Sequence, residues 1–354
     1  MYLSGLGTAV PETCYSQADC WQALKASPPF QHLQPRSQGL LRKVLLGDNG
    51  ISTRTLALDG LQEAFEMDPD SLQQRFERHA PALAEQAART ALSEARLQSA
   101  QIDAVVVSTC TGYICPGLSS YVAERLGLAV GVRAFDLVGQ GCGAALPNAS
   151  LAKALLSDGQ AEHVLCVCVE VCSAAMYLDD DPGVLISACL FGDGAAAAVW
   201  SNRAPAGRRL IRWVDSEARL TPANREALRF EHNAGRLRNI LRPNVPEVAA
   251  EELQSVLSKL LPKKGIGFAD ISTWILHAGG RNVLNAIAAE LQLDTEQLCH
   301  SAAILDRYGN LSSPFVYFVL QRALRNEAEA GWWCFSSFGA GFSCQAALLE
   351  VGKA

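Results

Sequence analysis

Charge is scarce in this chain: only 19% of its 354 residues are Asp, Glu, Lys or Arg, and 30 basic residues stand against 36 acidic ones, a formal net charge of -6. No block of basic residues and no interleaving of basic with aromatic residues occurs, which argues against a nucleic acid partner. No apolar run approaches the length that spans a bilayer, so membrane insertion is not expected. The opening "MYLSGLGTAVPETCYS" lacks a basic segment followed by a long apolar one and reads as a first strand entering a loop. Low-complexity tracts are missing, and with them any sign of disorder. Paired CxxC units are missing too, so no zinc site is expected. The "CVC" at 166–168 has the wrong spacing and sits in an apparent strand.

What is present is apolar. Hydrophobic residues make up 49% of the chain, enough to fill one large domain or two of ordinary size with buried sheets. The twelve cysteines fall largely inside apolar runs and read as free thiols of a reducing cytoplasm.

Short β-rich runs alternate with helical patterns, which predicts an α/β fold. Strands are expected at 103–108, 162–171, 270–278 and 331–338, and helices at 82–95, 148–159, 245–261, 281–292 and 314–328. An offset of 168 residues sets Ala104 on Ser272, Cys142 on Asn310 and Val164 on Trp332. The order strand, glycine-bearing turn, helix, strand thus occurs twice. Two such halves packed face to face make a layered α/β/α/β/α domain, with residues 1–200 as the first half and 201–354 as the second. The polar, arginine-rich stretch 201–244 reads as the connection and the start of the second half.

Three residues suit one chemistry. Cys142, in "GQGCG", lies between an apolar run and a helical pattern; a helix N-terminus presents free N–H groups and partial positive charge, which stabilise a thiolate. A cysteine there can also be a small buried hydrophobe. His277, in "WILHAGG", closes a strand at the position equivalent to Thr109, facing the same interface. Asn310, in "RYGNLSSP", either caps a helix or donates, with His277, to an enolate or thioester oxygen. Cysteine, histidine and asparagine in these linked positions suit acyl transfer followed by decarboxylative carbon–carbon bond formation.

The motifs "GCGAALPNASLAKAL", "EVCSA", "LFGDGAAAAV", "WILHAGGRNVL", "YGNLSSPFV" and "SFGAGFS" occur in one order at compatible spacing. In them the sequence resembles the type III polyketide synthases, a bacterial-type member of the chalcone and stilbene synthase branch of the thiolase superfamily, over essentially its whole length. The resemblance implies a thiolase-like, duplicated, five-layered fold. It makes Cys142 the acyl-accepting nucleophile, with His277 and Asn310 forming the thiolate and supporting malonyl decarboxylation. Phe191 matches a gatekeeper between the CoA tunnel and the cavity, and Phe230 a second one. Arg54 matches a basic residue near the CoA phosphates, or is a solvated surface charge. Gly279, Gly280 and Asn282 complete the implied CoA contacts. The implied cavity lining is Cys110, Thr111, Cys172, Ala175 and Ser187, with Ser312, Ser337 and Phe338. Cys115, in "TGYICPG", resembles a loop position that reaches the partner's cavity in family dimers. The lining residues are mostly small, which leaves room for a bulky starter or several extensions unless neighbours refill it.

Gly143, Ala278 and Ala340 depart from plant members, which carry Phe, Pro and Pro there. Product specificity is therefore open. The implied substrates are a starter acyl-CoA and malonyl-CoA, with no metal or other cofactor, and the implied assembly is a homodimer. A carrier-protein-dependent β-ketoacyl synthase III shares the Cys, His, Asn logic, but shows "HQAN" where this chain has "HAGG". A chain-length-factor-like subunit would lack Cys142. An ordinary thiolase would use a second cysteine, for which Cys344 is the candidate.

Overall fold

The computed structural model describes residues 1–353. Strand β1 (Tyr2–Ala9) opens the chain, followed by a small cap made of the ribbon β2 (Cys14–Ser16) and β3 (Thr53–Thr55) with helices α1 (Gln17–Ala26), α2 (Pro28–Gln31) and α3 (Pro35–Leu46). Next come α4 (Pro69–Ala95), β4 (Ala104–Ser108), α5 (Leu118–Leu126), β5 (Arg133–Leu137), α6 (Ala145–Ser157), β6 (His163–Glu170), α7 (Pro182–Leu190) and β7 (Gly194–Ser201). The remainder holds β8 (Ile211–Leu220), β9 (Leu228–Asn233), β10 (Arg236–Leu241), α8 (Val245–Leu260), β11 (Ile271–Leu276), α9 (Arg281–Leu291), α10 (Cys299–Tyr308), α11 (Phe315–Arg325), β12 (Gly331–Gly339) and β13 (Ser343–Val351).

Nine strands hydrogen-bond in the order β11-β12-β13-β8-β1-β7-β6-β4-β5. Strands from the two ends of the chain thus separate to the two sides, and the sides meet through a single residue pair, Tyr2 with Arg212. Helices α6 and α11 touch strands of both sides, α4 and α5 cover one outer face, and α8 packs on β8 and β13 with α9 against it. This is the five-layered α/β/α/β/α arrangement. The strand sequences explain it. In β6, Val164, Cys166 and Cys168 turn into the central core, and Leu165, Val167 and Val169 toward α4. Alternate side chains leave opposite faces of a strand, so a run apolar at every position is a strand covered on both sides.

The expected elements appear with small changes at their ends, apart from two. Helix α4 runs back through Pro81 to Pro69, where Asp68 accepts the Ser71 N–H at 3.0 Å as its N-cap. The stretch 201–244 is more than a connection: β8 is a full strand of the large sheet, and β9 and β10 form a separate hairpin.

Candidate active site

The chain leaves β5 through Gly139 and Gly141, both at positive φ, and places Cys142 in a short 3-10 turn, Gly141–Gly143, just before α6. The end of β12 presses against this turn. A Cβ on Gly339 would stand 2.4 Å from Gln140 O and 2.5 Å from Gly143 N, so only glycine allows the approach. Ser337 ties the two together by donating its hydroxyl to Gly143 O at 3.0 Å. On the other side of β12, the backbone N–H of His277 donates to Ser336 O at 3.1 Å. Strand β12 therefore sets both Cys142 and His277.

His277 is 1% exposed. Its ring meets Phe338 edge-on at 4.9 Å and Phe315 at 5.3 Å between centroids. Neither ring nitrogen has a hydrogen-bond partner, and burial pushes its pKa down to about 3. Burial likewise pushes the Cys142 thiol up to about 12, against the lowering effect of the Ser312 hydroxyl. Both groups rest neutral, the cheaper state for two side chains removed from water.

Asn310 follows α10 and is fixed through its backbone, its N–H on Leu190 O at 2.8 Å and its carbonyl accepting Gly192 N–H at 3.0 Å. Its Nδ2 donates to Gly279 O at 3.2 Å, and its Oδ1 accepts the Ser312 N–H at 2.8 Å. Ser312 in turn directs its hydroxyl to Cys142 Sγ at 3.2 Å. Behind it lies Glu170, fully buried, accepting from Ser313 Oγ at 2.5 Å, Thr111 Oγ1 at 3.0 Å and the Cys110 N–H at 3.0 Å. Burial raises the Glu170 carboxyl above its ordinary value.

A cavity of about 460 Å³ adjoins this cluster. Cys110, Thr111, Cys172, Ala175, Ser187, Phe191, Phe230 and Ser312 line it, and Met176, Tyr177, Val184, Ala188 and Asn239 complete the wall. An arrangement of buried thiol, unpartnered imidazole and carboxamide beside a half-open pocket can transfer an acyl group and hold an oxyanion.

The comparisons agree with that chemistry. Residues 12–264 match the family described as FAE1/Type III polyketide synthase-like protein, and residues 216–351 match the Chalcone and stilbene synthases, C-terminal domain. The chain belongs to the type III polyketide synthases. It is 32% identical over 354 residues to the 1,3,6,8-tetrahydroxynaphthalene synthase of Streptomyces peucetius subsp. caesius, covering 98% of this chain and 92% of that one. It is 28% identical over 357 residues to the 3,5-dihydroxyphenylacetyl-CoA synthase of Amycolatopsis orientalis, again with 98% and 92% covered. The solved structure of PKS-I from the brown alga Ectocarpus siliculosus shares the fold, with a TM-score of 0.89, 24% identity and coverage of 98% and 97%. The reaction of this type III polyketide synthase is CoA-dependent decarboxylative condensation, an acyl transfer. These relatives give no support to the carrier-protein-dependent reading.

The other candidate residues of the polyketide synthase lie outside this cavity wall. Arg54 is 3% exposed and turned inward, its Nη1 donating to Ala188 O at 2.7 Å and Phe191 O at 2.9 Å and its Nε to Gln17 Oε1 at 3.1 Å. A guanidinium so engaged braces the end of α7. Ser337 and Phe338 serve β12 and His277, outside the cavity wall. Cys115 is exposed and lines no part of the cavity in this chain. Gly279 and Gly280 lead into α9, and Asn282 is exposed on its first turn. Cys344 is buried on β13, where Glu252 of α8 is among the groups that raise its pKa. The unforeseen Val184 and Ala188 had a signal: with Ser187 and Phe191 they follow the spacing of one helix face. Asn239 had none, since its pairing with Phe230 across the hairpin shows only in the fold. Among the described residues no cluster of three or more His, Cys, Asp or Glu could hold a metal ion. Nor, among the described residues, is any helix long and apolar enough to cross a membrane.

Proposed function

We propose that Cys142 carries the growing acyl chain, with His277 and Asn310 as the groups that activate it and hold the enolate. A starter acyl-CoA approaches, the Cys142 proton passes to a ring nitrogen of His277, and Sγ attacks the thioester carbonyl; CoA leaves with a proton. Malonyl-CoA then loses carbon dioxide. The resulting acetyl-CoA enolate is held through its oxygen by the His277 N–H and the Asn310 carboxamide N–H, attacks the acyl group on Cys142, and releases the thiolate as the β-keto-CoA forms. The chain returns to Cys142 and the cycle repeats, ending in ring closure to a pyrone, a resorcinol or a related product. Each round takes up one proton from solvent, which leaves on CoA, releases one carbon dioxide and needs no oxidant or reductant.

The observation that carries this reading is the unbroken link from Asn310 Oδ1 through Ser312 to Cys142 Sγ, beside an imidazole whose two nitrogens are buried and unpartnered. Gly279, Gly280 and Asn282 are the proposed CoA contacts, at the start of α9, where free N–H groups favour an anion. The working form is proposed to be a homodimer in the cytoplasm. Strand β5 has one unpaired edge, and Tyr113, Val130 and Val138 on the loops near it are exposed, surface that a second copy would cover. Mass spectrometry after mixing the protein with malonyl-CoA and short, long and aromatic acyl-CoA starters tests the chemistry. Products that grow by ketide units and vanish in Cys142→Ala support it; products that persist in Cys142→Ala overturn it.

A further inference from the structure

Buried polar atoms in folded chains nearly all have partners, so an unpartnered one in the wall of a cavity is free to bond what enters it. The ring nitrogens of His277 are unpartnered, and the enolate oxygen is their natural occupant. Among the described residues, two side chains of the cavity wall end in the same way: Tyr177 Oη and Asn239 Oδ1 have no partner. Tyr177 is 4% exposed and Asn239 6%.

Their hydrogen-bonding roles are fixed by their surroundings. Ser187 donates its hydroxyl to Gly183 O at 2.7 Å and can only accept from Asn239, whose Nδ2 lies 2.7 Å away. That orients the carboxamide and leaves Oδ1 as a free acceptor. The Tyr177 ring lies under the Arg236 guanidinium at 5.1 Å. Burial and the Asp179 carboxylate push the phenol up to about 12, so at neutral pH it keeps its proton and is a donor.

We propose that Tyr177 and Asn239 form an oxygen-recognition pair that holds the part of the growing poly-β-keto chain furthest from Cys142. The phenol donates to a keto oxygen, and the carboxamide oxygen accepts from an enol or phenol O–H. An alkyl chain supplies neither and leaves two buried polar atoms unmatched, which weakens its binding. The pair therefore selects for extended, oxygen-bearing chains over long alkyl ones. This rests on the reading that the cavity receives the chain carried by Cys142. A hydroxylated starter would offer the same chemistry.

Binding measured without turnover separates the two claims. Isothermal titration of the full chain with orcinol, and with 3,5-dimethoxytoluene, which keeps the ring but has no O–H, is expected to show about tenfold tighter binding of orcinol. Asn239→Leu, which removes the acceptor, should abolish that preference, while Tyr177→Phe, which removes a donor that the oxygens of either ligand can accept from, should weaken both ligands alike; melting curves confirm that both variants are folded. Equal affinity for the two ligands in the unaltered protein, a preference that survives in Asn239→Leu, or binding unchanged in Tyr177→Phe overturns the proposal. Products primed with hexanoyl-CoA and with 3-hydroxybenzoyl-CoA distinguish the source. A shift to fewer extensions in Tyr177→Phe with both starters supports the growing chain as ligand. A defect confined to 3-hydroxybenzoyl-CoA transfers the role to the starter and overturns the assignment.

Discussion

Ser312 combines three demands in one residue. Its backbone is left-handed, at φ +57°, a conformation that costs a serine roughly 1–2 kcal/mol; its N–H holds Asn310 and its hydroxyl holds Cys142. Glycine at 312 keeps the backbone without strain and removes only the hydroxyl. Ser312→Gly is expected to melt no lower than the parent, while the burst of CoA released on acyl loading slows about tenfold, the effect of about 1.4 kcal/mol from one lost hydrogen bond. An unchanged burst would show that the hydroxyl does not assist the thiolate. His277 gives a second prediction, in pH. Its pKa lies at about 3 in the folded chain against about 6.5 when unfolded, so the unfolded state takes up a proton that the folded state refuses. Stability is complete above pH 6.5 and falls with acidification toward pH 3. Between pH 7 and pH 5 the loss is about 2 kcal/mol, to be read as a fall in the urea midpoint that is missing in His277→Asn. The proton count is the same whether the proton sits on Cys142 or has moved to His277, so the slope reports burial of the site and not the direction of transfer.

Strand β12 is the element on which the site hangs, since its last residues touch the Cys142 turn on one side and His277 on the other. Gly339→Ala would drive a methyl group into Gln140 O and Gly143 N, backbone atoms that cannot swing aside as a side chain can. The expected result is a loss of about 3 kcal/mol in stability and a fall in kcat of more than tenfold, with a smaller change in the KM for malonyl-CoA. A melting curve and steady-state rates check both, and an alanine tolerated without loss would mean that the approach of β12 is loose. At this scale the sequence was readable where burial leaves a pattern. Strands β4 and β6 are apolar at nearly every position because both faces are covered, and Cys142, His277 and Asn310 stood out because each closes a strand or opens a helix in a repeated frame. Arg54 was not readable, because residue type reports its charge while its partners, Ala188 and Phe191, lie 134 and 137 residues away. Asn239 was hidden for a related reason. It lies in a polar stretch without apolar periodicity, and its place in the cavity wall depends on a hairpin whose turn, Ala234 and Gly235 at φ +49° and +78°, only the fold makes plain.

Across the whole molecule, the two sets of strands share more than an edge. Cys142 enters with α6, Asn310 and Ser312 precede α11, and His277 ends β11, so the chemical groups meet only when both sides close on the central helices. The same closure buries the inward faces of β6 and α6, including Val164, Cys166, Ala145, Leu146 and Ala149, in one core with β12 and β13. A fragment carrying residues 1–201 alone would expose that whole face to water, at about 25 cal/mol for each Å² of apolar surface, while losing little backbone pairing, the Tyr2–Arg212 pair and the Phe191–Asn310 bridge. The repeat is therefore one of form more than of stability: the first side completes the core between α4, α5 and its own strands, but the core around α6 and α11 is finished only by both sides together. Scanning calorimetry of the full chain should give one transition, with the calorimetric and van't Hoff enthalpies equal for each cooperative unit. The 1–201 fragment should bind a hydrophobic dye and show no cooperative melting. Two resolved transitions, or a fragment that melts sharply, would mean that each side folds on its own, and the site would then be an interface between two finished domains instead of the centre of one.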